Sequence, residues 1–150
     1  MNADDADQKK RMGNGLLTSE QFRHSKLTEG IIGTFYEVYN ELGPGFLESV
    51  YEKSLAIALR SKGFDVFQQI AVPVHFRGNL VGDFSADLLV NGQVILELKT
   101  ARSIDQAHIA QLLNYLRATD IEVGLLLNFG ARPEFKRVAF GNDRKRPITV

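Results

Sequence analysis

Three charged residues lie inside two apolar runs of the sequence, and their types could do chemistry. Asp87 interrupts the run SADLLV, and Glu97 and Lys99 stand two apart in the run VILELK, shortly after Asn91 and Gly92. A charge inside a buried strand is costly unless a partner compensates it. The three side chains therefore predict a paired or metal-bound site on two neighbouring strands.

The turn between the two runs decides whether these charges meet. A two-residue turn on Asn-Gly would point Asp87 and Glu97 to opposite faces, because side chains alternate along a strand. A longer turn, with Gly92 as a left-handed bulge, pairs Leu89 with Gln93 and puts the two carboxylates and the lysine on one face. Only the second register separates a polar face from an apolar one, so we predict the bulged turn.

Carboxylates held close together repel, and the pKa of one should rise unless a cation lies between them. Mg²⁺ (or Mn²⁺) relieves the repulsion, stabilises charge that develops on a phosphate, and lowers the pKa of a bound water. Lys99 would orient the attacking water or assist its deprotonation. The pattern D-x9-E-x-K therefore predicts a phosphodiesterase site with Asp87 and Glu97 as metal ligands. The alternative is a solvated polar face with Asp87 near a turn.

Two helical segments carry residues that would complete such a site. Glu48 opens the second predicted helix, either as a third acidic metal ligand or as a carboxylate favoured by the helix dipole. In the helix after the lysine, Gln111 would position the water or a phosphate, and Tyr115 would anchor a backbone oxygen. The alternative for these two is the polar flank of an amphipathic helix, and His108 is read as a flank residue.

Changes in hydrophobic period predict the elements that position these residues. Ser25 or Thr28 is expected as the N-cap of the first helix, and Pro73 indicates an edge strand or a bulge. The apolar run VGLLLNF is typical of a strand buried on both faces and parallel to a neighbour. The order α-α-β-β-β-α-β predicts an α/β domain with a mixed sheet flanked by helices. The predicted helices cover about 25–42, 47–62 and 104–119, and the strands about 69–76, 80–90, 93–100, 123–129 and 135–140.

Length and composition bound the class of protein. The 150 residues, 44% of them hydrophobic and with zero net charge, predict one globular domain over 24–142, a flexible arm at 1–23 and a basic tail at 143–150. The absence of cysteine excludes disulfides and thiolate metal sites. No apolar run approaches the length of a membrane span, and the first residues lack the apolar region of a signal peptide, so a cytoplasmic protein is expected.

The order of the charged and polar residues resembles that of a nuclease superfamily. Asp87, Glu97-x-Lys99 and the later Gln111-x-x-x-Tyr115 resemble the PD-(D/E)XK nuclease superfamily, and the Gln-x-x-x-Tyr element resembles its RecB-like branch. The segment GFLESVY reads G-x-x-E-x-x-Y. Together with ADLLV, ELK, QLLNYL and GLLLNFG, it resembles the bacterial GxxExxY protein family.

This resemblance covers roughly residues 27–140. It implies a restriction-endonuclease-like α-β-β-β-α-β core with an extra N-terminal helix. It also implies that the two strand carboxylates hold the metal, that the lysine is catalytic, that Glu48 adds a helical acidic group and that Gln111 supports the site. Ala86 departs from the pattern, which has a proline before the aspartate, although that proline is often absent in the superfamily.

Two main functions follow from these observations. The first is a Mg²⁺-dependent nuclease that hydrolyses phosphodiester bonds, with DNA preferred over RNA and with Lys99, Gln111 and Tyr115 as the catalytic set. The second is a non-catalytic nucleic-acid- or protein-binding module that retains the nuclease fold, which the zero net charge favours. A subunit that depends on a protein partner, and a homodimer, are left open.

Overall fold

The computed structural model describes residues 24–145, which form a five-stranded sheet with helices on both faces. The predicted α/β class, with a mixed sheet and an extra N-terminal helix, is confirmed. None of the described helices is long and apolar enough to cross a membrane. The elements are α1 (Ser25–Leu42), α2 (Glu48–Ser61), β1 (Val66–Phe76), β2 (Asn79–Val90), β3 (Val94–Lys99), α3 (Gln106–Ala118), β4 (Val123–Phe129), β5 (Pro133–Ala139) and a short 3-10 helix (Asn142–Arg144).

The strands follow the order β1-β2-β3-β4-β5 across the sheet. Neighbouring strands are antiparallel except β3 and β4, which are parallel and are connected through α3. The run VGLLLNF forms β4, and all of its residues are buried, as the prediction of a central parallel strand requires. Pro73 lies in β1 at the edge of the sheet, where a residue without an N–H does least harm to the hydrogen-bond ladder.

Two hydrophobic cores lie on opposite faces of the sheet. Helices α1 and α2 cover one face with buried side chains such as Phe35 and Leu55, and α3 covers the other with Leu112 among others. Gly124 in β4 lets α3 approach closely, because a Cβ at this position would lie 2.6 Å from a methyl carbon of Leu112. The two layers place α2 and α3 on opposite sides of β3, the strand that carries the glutamate and the lysine.

The turn between β2 and β3 differs from the prediction. Leu89 pairs with Ile95 and not with Gln93. A three-residue loop joins the strands, with left-handed φ angles of 53° at Asn91 and 64° at Gly92. The predicted pairing was therefore wrong by two residues. Since side chains alternate with a period of two, a shift of two residues leaves the same side chains on the same face.

The starts of α1 and α3 use different chemistry. The residue before α1 is His24, which has a left-handed φ of 58° and makes no side-chain cap, so the prediction of Ser25 or Thr28 as N-cap was wrong. Helix α3 begins with a capping box. The His108 N–H donates to the Asp105 carboxylate at 3.0 Å, and the Asp105 N–H donates to His108 Nδ1 at 3.2 Å. His108 thus has a structural role at the helix start.

The first part of the predicted basic tail packs on the domain. Lys145 Nζ donates to the carbonyl oxygens of Thr119 and Ile121, each at 2.8 Å. These bonds tie the end of the described chain to the loop that follows α3. The predicted arm at 1–23 and residues 146–150 of the predicted tail lie outside the described residues.

Candidate active site

The two strand carboxylates lie where the pairing of β2 with β3 ends. The last paired residues are Leu88 and Leu96, so Asp87 and Glu97 would form the next pair. Instead, each carboxylate accepts a backbone N–H of the opposite strand. The Asp87 N–H donates to Glu97 Oε1 at 3.0 Å, and the Leu98 N–H donates to Asp87 Oδ2 at 2.8 Å. These reciprocal bonds hold both carboxylates between the diverging strands.

Strand β2 is irregular at this point. Ala86 packs in the core under α3, whereas Leu88 packs in the core under α1 and α2. Residues two apart share a face in a regular strand, so β2 changes face between Ala86 and Leu88. Opposite this point, Gln69 in β1 has a left-handed φ of 56°. At this position, besides burial, the charges of Glu52 and Glu48 in α2 raise the pKa of Asp87, and the charge of Lys99 in β3 lowers it.

Burial and neighbouring negative charges raise the pKa of both carboxyl groups. Glu97 is only 3% exposed. Burial, followed by the negative charge of Asp87, raises the pKa of Glu97 to about 8. Burial also raises the pKa of Asp87, and the charges of Glu52 and Glu48 add to that rise, although the bond from the Leu98 N–H opposes it. Two ionised carboxylates at this place therefore require a compensating positive charge.

Each of these carboxylates keeps one oxygen for a further ligand. The cross-strand bonds use Asp87 Oδ2 and Glu97 Oε1, and the described residues offer no other hydrogen bond to either side chain. The second oxygens, Asp87 Oδ1 and Glu97 Oε2, therefore accept no hydrogen bond from the described residues. Two neighbouring carboxylate oxygens suit a hard divalent cation such as Mg²⁺ or Mn²⁺. The donor set therefore fits the predicted metal.

The predicted catalytic side chains form a chain of hydrogen bonds from β3 to α3. Lys99 Nζ donates to Gln111 Oε1 at 3.1 Å, and Gln111 Nε2 donates to the Tyr115 hydroxyl at 3.0 Å. Burial, followed by the charge of Glu97, raises the pKa of Tyr115. The structure thus brings Lys99, Gln111 and Tyr115 together beside the two carboxylates.

Glu48 lies near this group without joining it. It is the exposed first residue of α2, and its charge raises the pKa of both Asp87 and Glu97. In the described part of the chain, no three His, Cys, Asp or Glu residues gather closely enough to hold a metal ion. Glu52, one turn later, accepts hydrogen bonds from two glutamines of β1, the shorter from Gln69 at 2.6 Å. The role of Glu48 as a third ligand stays a prediction.

Asn128 is a site residue that the sequence reasoning missed. It is fully buried in β4, and its carboxamide makes two hydrogen bonds to the backbone of Ala101. The Ala101 N–H donates to Asn128 Oδ1 at 2.9 Å, and Asn128 Nδ2 donates to the Ala101 carbonyl at 3.0 Å. The Asn128 carboxamide therefore takes the place of a strand residue as the hydrogen-bond partner of the chain that follows β3. The sequence did contain a signal for this role, because Asn128 is a polar residue within the otherwise apolar run VGLLLNF.

Tyr51 holds the loop that leads into α2. Its buried hydroxyl donates to the Gly43 carbonyl at 2.5 Å and accepts from the Phe46 N–H at 3.2 Å. Its ring stacks on Phe129 of β4 at a centroid distance of 4.3 Å. These contacts explain why a tyrosine follows Glu48 by three residues, because the tyrosine fixes the turn from which the glutamate projects.

Comparison with known proteins points to one superfamily. Residues 25–138 match the sequence profile of the PD-(D/E)XK nuclease superfamily. No curated protein sequence matches the chain. The crystal structure of SSO0001 is similar in fold, with a TM-score of 0.50 and 17% identity over 91% of this chain and 75% of that chain. The structure of Archaeoglobus fulgidus Hjc, a Holliday junction resolvase from an archaeal hyperthermophile, has a TM-score of 0.38 and 20% identity over 59% of this chain and 72% of that chain.

Proposed function

Because the chain belongs to the PD-(D/E)XK nuclease superfamily, whose profile covers residues 25–138, we propose that it is a Mg²⁺-dependent nuclease with DNA as the preferred substrate. One observation carries the proposal. The carboxylates of Asp87 and Glu97 each accept a backbone N–H of the opposite strand, and they lie together beside Lys99 with raised pKa values. A purely structural ion pair would have no reason to place two acids in one buried position.

Asp87 and Glu97 would hold the metal through the oxygens that the cross-strand bonds do not use, with Glu48 as a further acidic group on α2. A divalent ion at this place supplies a water of lowered pKa and positive charge for the phosphate. The bonds from the Asp87 and Leu98 N–H groups keep the two carboxylates in place before a metal arrives. The arrangement suits Mn²⁺ as well as Mg²⁺, since both prefer oxygen ligands.

Lys99 is the group that would act on the reaction itself. Gln111 engages one proton of its ammonium, and two protons remain for the attacking water or for a phosphate oxygen. In hydrolysis, a water oxygen forms a bond to phosphorus, the bond to one ester oxygen breaks, and that oxygen takes up a proton. Lys99 would orient the water and stabilise negative charge on the phosphate. Gln111 and Tyr115 would keep the ammonium in place.

The finer family assignment belongs to the same proposal. The segment 45–51 has the G-x-x-E-x-x-Y pattern, and Gln111 and Tyr115 occupy the Gln-x-x-x-Tyr pattern. We therefore place the chain with the bacterial GxxExxY proteins in the RecB-like branch, acting in the cytoplasm. The contacts of Tyr51 with Gly43 and Phe46 support this assignment, because they give the final tyrosine of the pattern a structural purpose.

A non-catalytic binding module is the second candidate. Two observations favour it. The chain has zero net charge, and in the described part no three His, Cys, Asp or Glu residues lie close enough together to hold a metal ion. In that case the carboxylate pair and Lys99 would be a retained remnant of the nuclease fold. Binding without cleavage would be the observable difference.

A metal-dependent cleavage assay tests the proposal. Wild type, Lys99→Ala and the control Lys136→Ala should be incubated with linear, circular and single-stranded DNA and with RNA, in Mg²⁺, in Mn²⁺ and in EDTA. Lys136 is an exposed lysine of β5, at the far edge of the sheet. Because positioned acid–base groups and electrostatic stabilisation each contribute about 10²–10³-fold or more, Lys99→Ala should lose detectable cleavage while Lys136→Ala keeps it. A wild type that cuts no substrate in either metal would favour the binding module, and equal cutting by Lys99→Ala would assign the activity elsewhere.

A further inference from the structure

Phe84 is an exposed aromatic residue at the border of the candidate site. It lies in β2, three residues before Asp87, and half of its surface is exposed. Other large apolar side chains of the β1–β2 hairpin, such as Phe76 and Val81, are also exposed. Phe84 differs from these because its ring contacts Tyr115, with 6.1 Å between the ring centroids. The contact connects an exposed ring to the catalytic side chains.

The ring of Phe84 is held in a defined place. Gly82, two residues earlier, leaves room for the ring, because a Cβ at position 82 would lie 2.6 Å from a ring carbon of Phe84. The ring of Tyr115 lies against another side of the Phe84 ring, and the two ring planes are inclined by 43°. Across the ladder, Phe84 pairs with Val72, which is fully buried. A ring that is fixed in this way and remains half exposed offers a ready surface to a planar group.

Hydrogen-bonded side chains connect Tyr115, the partner of this ring, to Lys99. Tyr115 accepts a hydrogen bond from Gln111, and Gln111 accepts one from Lys99. A phosphate bound at Lys99 would therefore place the neighbouring base of the same strand within reach of Phe84. In an intact duplex that base is already stacked between its neighbours, so only an unpaired base, or one at a frayed end, has a face to offer.

We propose that Phe84 is a stacking platform for an unpaired base next to the scissile phosphate, and that the site therefore takes single-stranded or frayed nucleic acid. The proposal rests on the nuclease function, because it names the substrate class of that same site. Stacking also suits the charge of the chain. A protein with zero net charge has little general attraction for phosphates, and base–aromatic stacking supplies affinity without it.

Binding measurements test the platform without requiring cleavage. All variants keep Lys99, and Ca²⁺ replaces Mg²⁺ so that the strand remains intact while fluorescence anisotropy reports the Kd of a labelled single-stranded DNA. Phe84→Leu should weaken binding about 5–150-fold, the range expected for one lost base–aromatic stack. Phe84→Tyr keeps a ring and should bind like its parent. Phe135→Leu removes an exposed ring from β5, at the opposite edge of the sheet, and should have no effect.

A second ligand separates stacking from a change of fold. The same strand with abasic sites keeps its phosphates and lacks bases, so Phe84→Leu and its parent should bind it equally weakly. Equal binding of the normal strand by Phe84→Leu and Phe135→Leu would overturn the proposal, as would an equal loss on the abasic strand. Weaker self-association of Phe84→Leu in sedimentation, with unchanged DNA binding, would also overturn it and assign the ring to a protein interface. If the wild type binds the strand through Phe84 but cuts nothing, the platform stands and the nuclease function fails.

Discussion

Lys99 and Asn128 are register partners on the parallel strands β3 and β4, and they form the last pair of that ladder. Immediately beyond them, the Asn128 side chain binds the backbone of Ala101 in both directions. The chain that follows Lys99 is therefore held by the Asn128 side chain, which takes the place of a neighbouring strand. This contact gives a physical reason for a buried amide in an apolar strand, because it satisfies backbone groups that would otherwise lose their partners.

Replacing Asn128 should therefore destabilise the fold where the chain leaves β3, the strand that carries Lys99. Asn128→Leu keeps a similar volume but leaves the Ala101 N–H and carbonyl without partners, which should lower the free energy of unfolding by about 1–3 kcal/mol for each group left unsatisfied. Urea denaturation measures the loss. Asn142→Leu is the control, since that residue is exposed and its side chain makes one hydrogen bond, to the Asp120 carbonyl. Equal stability of Asn128→Leu and wild type would contradict the role given to the amide.

Gly130 should tolerate no side chain. A Cβ at this position would collide with the Ala101 carbonyl oxygen, which is backbone and cannot turn away. Gly130→Ala should therefore destabilise the protein by about 1–3 kcal/mol, the usual range for overpacking. Gly33→Ala is the matched control, because a Cβ there meets nothing within 4 Å and the residue lies inside α1. That variant should gain about 0.5–1 kcal/mol, since alanine favours the helix over glycine. Thermal unfolding of the two variants would show opposite shifts, and shifts of the same sign would refute the prediction.

The buried carboxyl group of Glu97 should make the free energy of unfolding fall as the pH rises. The pKa of Glu97 is about 8 in the folded chain and 4.5 in its ordinary state, so between these values the folded state holds a proton that the unfolded state has lost. Stability therefore falls as pH rises from 4.5 towards 8, and the contribution is fully present only below 4.5. In EDTA, the Tm of wild type should decrease over this interval more steeply than that of Glu97→Gln.

The control for the pH experiment is Glu134→Gln in β5, a carboxylate that does not contribute to the pKa shift of Asp87 or Glu97. This variant should retain the pH dependence of the wild type. If Glu97→Gln and Glu134→Gln gave the same profile, the proton on Glu97 would not be the source of the slope.

Metal binding should require Asp87. Mg²⁺ or Mn²⁺ should bind the folded chain and raise its Tm through linkage, and calorimetry should show weaker binding to Asp87→Asn because one anionic ligand is lost. Asp83→Asn is the matched control, since it removes an exposed carboxylate from the same strand. An unchanged metal affinity in Asp87→Asn would remove the carboxylate pair as the metal site and, with it, the main support for nuclease activity.

Much of this architecture could be predicted from local pattern. Hydrophobic periods of 3.6 and 2 decide which segments bury a stripe and which bury a face, so the helices and strands followed from the order of apolar residues. The continuous run VGLLLNF indicated the buried parallel strand for the same reason. The wrong pairing of Leu89 with Gln93 did no harm to the placement of Asp87 and Glu97, because the error was an even number of residues and strand faces repeat every second residue.

The contacts that make a site of these residues were decided by the tertiary structure. The sequence predicted Asp87, Glu97 and Lys99 on one face, but each carboxylate binds the backbone of the opposite strand only because the β2–β3 ladder stops at the pair of Leu88 with Leu96. Asn128 lies 27 residues from Ala101, and no local period reports a contact over that distance. Hydrophobic patterns record which side of an element is buried, whereas hydrogen bonds between distant segments depend on how the packed layers place those segments against each other.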